Sequence, residues 1–169
     1  KGQECLLRHF EAVEKVGMIL VTVDVFRNTG NDMKIEGKDG VMTKRFGEFL
    51  PQLEASVEHD AKRFFMGGMS GGAWRAFHYS AWFDRPWAGI YSNVGWIGDR
   101  RWYGLPYPAG MRVAMVNGHK DHGLYVLKGD AERLKAKGSE SKIFMFEGGH
   151  QVAPKGTQVE AFEWLLDGE

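Results

Sequence analysis

Cysteine is nearly absent: Cys5 stands alone among 169 residues. A single thiol excludes an intrachain disulfide and any C-x-x-C metal site, so the chain must be held together by burial. Net charge is absent too. Lysine plus arginine number 22, as do aspartate plus glutamate, and no strongly basic stripe runs along the sequence. That balance argues against a nucleic-acid partner. No apolar run approaches the roughly 20 residues that span a bilayer, and no secretory leader opens the chain, so no membrane partner is expected. Lys1 rather than methionine stands first, which reads as a processed chain or a fragment. What is present is 43% hydrophobic, 13% aromatic and 26% charged residues. At this length that composition implies one domain with a substantial core.

Helices and strands alternate along the sequence. Leu6, Leu7, Phe10, Val13 and Val16 recur at three- and four-residue steps, predicting an amphipathic helix over 2–16 that stops at Gly17. Met18 to Phe26 is a largely β-branched run, as expected of a strand buried on both faces. A polar loop follows over 27–40, then a helix over about 44–58 that Pro51 should interrupt or restart. Further strands are expected at about 62–67, 87–91, 112–116 and 142–146, with helices over about 71–83, 123–137 and 156–167. This alternation predicts an α/β fold: a mostly parallel sheet of about five strands with helices on both faces.

In such sheets functional groups gather at the carboxyl ends of the strands. Gly68-Met69-Ser70-Gly71-Gly72 satisfies G-x-S-x-G between an expected strand and an expected helix, the pattern of a nucleophile elbow. A sharp turn of this kind strains the serine backbone and demands small neighbours, and it points the start of the following helix at the site where an oxyanion would form. A serine hydroxyl needs a base, and the base needs a carboxylate to fix its tautomer. Asp121 follows the expected strand at 112–116, and His150 follows the one at 142–146 in Glu147-Gly148-Gly149-His150. The order Ser70, Asp121, His150 is that of α/β-hydrolases.

Each residue has a competing reading. Asp121 could serve only to cap the next helix, and Asp99 and Asp130 are rival acids. His78 reads as packed against the sheet, while His9 and His59 read as solvated. His119, Asp121 and His122 could together ligate zinc, but the chain offers no further ligand set and Asn117 stands where a leading histidine would be needed. The glycines around residue 70 lack the lysine of a phosphate loop. Neither a metal nor another cofactor is therefore expected.

The elbow within R-F-F-M-G-G-M-S-G-G, the segment V-A-M-V-N-G-H-K-D-H, and F-E-G-G-H followed by a terminal helix together resemble α/β-hydrolases of the polyhydroxybutyrate-depolymerase and feruloyl-esterase type. The likeness covers roughly residues 10–168. It implies Ser70 as nucleophile, Asp121 as acid, His150 as base and the N–H of Gly71 as one oxyanion donor. It also implies a small or polymeric ester substrate and, because that family is often exported, a secreted or periplasmic location. The second oxyanion donor of such enzymes lies on a loop that would fall before Lys1, so the resemblance implies either a truncated chain lacking its first strands or a hole built differently. Trp96, Trp102 and Tyr103 in the aromatic loop 94–108, with Met69 beside the serine, are the candidate substrate contacts. The same aromatic residues could instead cover the core.

Overall fold

The computed structural model describes residues 2–23 and 37–167. Among the described residues the elements in chain order are α1 (Gly2–Val16), α2 (Val41–Ser56), β1 (Phe65–Met69), α3 (Gly71–Trp82), β2 (Gly89–Asn93), β3 (Arg112–Gly118), α4 (Leu124–Ala136), β4 (Glu140–Phe146) and α5 (Lys155–Leu166), with a 3-10 turn at Arg100–Trp102. The four strands form one parallel sheet in the order β1-β2-β3-β4.

Side-chain alternation along the strands sorts the core into two layers. Tyr91, Ala114, Val116, Phe144 and Phe146 face α1 and α5, where Val13, Val159, Ala161, Phe162 and Leu165 complete one cluster. Ile90, Val113, Met115 and Ile143 face the other way, onto Phe77 of α3 and Leu127 and Leu134 of α4. Every residue of β2 is buried, as a central parallel strand requires.

Two expectations change. The run Met18–Phe26 is expected as the first of five strands, but residues 18–23 form no ladder, and 24–26 lie outside the described residues. Met18 and Leu20 pack against the α1/α5 cluster, whereas Ile19 and Val21 are exposed. Residues 18–23 thus pack part of their apolar surface without forming a strand ladder among the described residues. Pro51 lies inside α2 and does not end it. Leu50 is buried and Phe46 stacks on Tyr79 at 4.5 Å, so tertiary contact on both turns outweighs the hydrogen bond that proline forfeits.

Candidate active site

Ser70 is the single residue between β1 and α3, and its backbone sits at φ 53, ψ −113. Few non-glycine residues adopt such a conformation, and where they do the surroundings enforce it. Here a β-carbon on Gly68 would come within 2.6 Å of the Gly72 carbonyl carbon, and one on Gly95 within 2.3 Å of the Ala73 β-carbon. Only glycine at these positions allows strand, helix and the neighbouring loop to approach so closely. No side chain caps α3, and the first N–H groups of any helix lack intrahelical acceptors. The N–H of Gly71 belongs to this set. The Ser70 N–H itself donates to the Asn93 carbonyl at the end of β2, at 2.9 Å.

Asp121 and His150 meet at the ends of β3 and β4. His150 Nδ1 lies 2.6 Å from Asp121 Oδ2, and the aspartate side chain is fully buried while the imidazole is 31% exposed. An ionised carboxylate accepts only, so Nδ1 carries the proton and Nε2 presents its lone pair. The other carboxylate oxygen accepts the Gly123 N–H at 2.6 Å. Asp121 therefore both shapes the entry to α4 and holds His150. The loops are knitted together by the His119 N–H to Phe146 O and the Lys120 N–H to Gly148 O, at 3.0 and 2.8 Å. Gly118 is required where they touch, since a β-carbon there would lie 2.5 Å from the Gly148 oxygen. No hydrogen bond joins the Ser70 hydroxyl to His150 among the described residues.

No family model and no curated protein matches this chain. Solved structures do. A carboxylesterase from Bacillus cereus superposes with a TM-score of 0.68 at 19% identity, over 100% of this chain and 84% of that one. Esterase PE8 gives 0.70 at 14% identity, over 97% and 86%. SOBER1 of Arabidopsis thaliana gives 0.58 at 16% identity, over 75% of this chain and 62% of that one, so the chain spans less than two thirds of the latter. The fold is that of an α/β-hydrolase.

Within this α/β-hydrolase fold Ser70, Asp121 and His150 stand after β1, β3 and β4, at one end of the sheet. The rival acids lie elsewhere. Asp99 is exposed and paired with Arg101 at 2.6 Å, which holds its carboxyl below the usual range. Asp130 is buried on α4, accepts the Ile97 N–H at 2.9 Å, and has its carboxyl pushed up by burial. His78 is fully buried, with Nε2 2.9 Å from the Ile97 carbonyl, and burial lowers its pKa to about 4, so it is neutral. His9 is a correction: it is buried rather than solvated, because α1 packs its ring edge-on against Tyr91. His59 is half-buried, bonded to the Val57 carbonyl and set against Phe64, so it too is not simply solvated.

The aromatic loop divides. Trp96 packs edge-on against His122, whose ring lies 4.7 Å from that of His150. Trp102 is instead surrounded by Trp74, His78 and Trp82, and Tyr103 lies under the Arg133 guanidinium at 3.8 Å, both against the α3/α4 cluster. Met69 packs against the opposite cluster. Asp121, His122 and His150 offer ligand atoms within 4.8 Å of one another, a set that could hold a cation. His119, expected in that set, lies instead 3.6 Å from Glu147. Sequence reading missed Asn93, whose only signal is a polar residue ending an otherwise buried strand.

Proposed function

We propose that this chain is a serine hydrolase that cleaves carboxylic esters through Ser70, Asp121 and His150. The observation that carries the reading is the 2.6 Å contact between His150 Nδ1 and the buried Asp121 carboxylate, beside a serine in a strained elbow. In this reading His150 Nε2 takes the Ser70 hydroxyl proton as Oγ attacks the ester carbonyl. The tetrahedral oxyanion is held by the N–H of Gly71 and the positive end of α3. Collapse breaks the ester bond, the alcohol leaves with the proton from His150, and an acyl group remains on Ser70. Water, deprotonated by His150, then releases the acid and restores the serine. No cofactor takes part. Trp96, which packs on the His122 ring that neighbours His150, and Met69, next to Ser70 in the chain, are the residues proposed to meet the substrate.

A second reading is a catalytically impaired domain that keeps the fold for binding. It is favoured by the missing hydrogen bond between the Ser70 hydroxyl and His150, and by a single assigned oxyanion donor. Losing one donor costs roughly 10²–10³ in rate. A thioesterase or peptidase would use the same residues, and a panel of ester, thioester and amide substrates separates these.

The deciding experiment is labelling by a fluorophosphonate, which reacts only with an activated serine. The expected result is an adduct on Ser70, located by mass spectrometry, that is absent from Ser70→Ala and His150→Ala. A folded protein that takes up no label supports the binding-domain reading and overturns the hydrolase.

A further inference from the structure

We propose that Asn93 is a positioning residue that fixes the spacing between Ser70 and His150. The inference rests on the hydrolase reading above. Asn93 is the last residue of β2, and its side chain is wholly buried. Its backbone carbonyl accepts the Ser70 N–H at 2.9 Å. Its side chain points toward the histidine loop: Nδ2 donates to the Gln151 carbonyl at 2.9 Å, and Oδ1 accepts the Ala153 N–H at 2.8 Å. One residue therefore holds both the nucleophile's own amide and the two peptide groups just after His150.

The chemistry explains why asparagine stands there. An acceptor must face an N–H and a donor must face a carbonyl, two residues apart along the same loop. A carboxamide supplies both, from two separate atoms of one planar group. The tie is reinforced from each side. Tyr91 donates its hydroxyl to the same Oδ1 at 3.2 Å, and Gln158 donates to the Ala153 carbonyl at 2.7 Å, so Ala153 is held through both its N–H and its carbonyl.

The residues after Asn93 carry an independent mark. Val94 has φ 44, a left-handed backbone that a β-branched residue adopts only under constraint, while its N–H bonds Val116 O at 2.7 Å. Strain of this kind gathers at functional sites, where the surrounding structure over-determines it. Here it turns the chain out of β2 at the point where the Asn93 carbonyl and side chain meet two different catalytic segments.

The consequence is kinetic. Displacement by about 1 Å in such a site can cost about 10²-fold in rate, so loosening the tie should slow the attacking step and leave substrate binding nearly unchanged. The test compares Asn93→Ala and the near-isosteric Asn93→Asp, which keeps the Ala153 acceptor but turns an oxygen toward Gln151, with Tyr91→Phe as an intermediate case that removes one support of the tie and leaves both loop bonds in place. Three readouts are needed: steady-state kcat and KM on a nitrophenyl ester, the fluorophosphonate labelling rate at Ser70, and amide exchange at residues 70 and 151–153.

Both Asn93 variants are expected to lose about 10²-fold in kcat and labelling rate, with KM little changed and exchange faster in the two tied segments. Tyr91→Phe should fall between wild type and the Asn93 variants in rate. Variants that melt earlier but label at the wild-type rate while folded would overturn the proposal and leave the hydrolase standing. If wild type itself takes no label, the hydrolase reading falls, and exchange still decides whether Asn93 couples the two segments.

Discussion

Asp121 shows how one side chain meets two demands. Its Oδ1 accepts from the Gly123 N–H and its Oδ2 from His150 Nδ1, both at 2.6 Å. An amide in the same place can satisfy the first but not the second. In Asp121→Asn, with the side-chain oxygen kept on Gly123, the introduced NH₂ would face Nδ1, which must then present a lone pair and move its proton to Nε2. A histidine in that tautomer cannot accept from Ser70. The substitution should therefore lower kcat by about 10⁴, the scale of a tautomer error in a serine triad, and leave the melting temperature close to wild type. Ester hydrolysis measured beside a thermal melt checks both halves. A variant that keeps wild-type kcat would show that Asp121 serves α4 alone.

The segment between β2 and β3 is pinned by two buried titratable side chains that grip one residue, His78 on the Ile97 carbonyl and Asp130 on the Ile97 N–H. Burial lowers the His78 pKa from 6.5 to about 4. Between those values the unfolded chain takes up a proton that the folded chain refuses. Stability from His78 is thus complete above about pH 6.5 and is lost as the pH falls toward 4, roughly 3 kcal/mol in all. His9, also lowered by burial, acts in the same direction. Asp130, raised by burial, acts in the opposite one, its contribution fading as the pH rises through its folded value. Comparing wild type with His78→Phe removes only the first group. Denaturant titrations at pH 7 and 4.5 should show a shallower pH dependence in the variant; equal slopes would mean that His78 is protonated in the fold. Elements of this kind were partly legible in the sequence. The stripes of α1 and α5 and the runs of β3 and β4 could be read directly, because each buries a face at its own period. The placement of Ser70, Asp121 and His150 at strand ends followed from that alternation. Over residues 18–23 the run misled, since a β-branched run does not announce whether a strand lies beside it. Asn93 and the Trp96–His122–His150 stack were hidden, because they depend on register and loop path that no local pattern encodes.

At the scale of the whole molecule, both faces of the sheet are closed by helices over apolar clusters, and the start of the chain packs on its end. Gln158 of α5 donates to the Arg8 carbonyl of α1 at 3.1 Å, which steadies the helix that follows the His150 loop. Burial of this extent holds the fold without a disulfide. The Asp121, His122 and His150 set gives the triad and a metal centre the same residues, so the two readings compete for one lone pair. A cation bound to His150 Nε2 would occupy the electrons that must accept the serine proton. In the triad reading, exhaustive dialysis against EDTA should therefore leave both hydrolysis and the melting temperature unchanged, whereas added zinc should inhibit by occupying that nitrogen. Activity lost on chelation and restored by zinc would instead make His150 a ligand, and Ser70 would no longer be required for turnover.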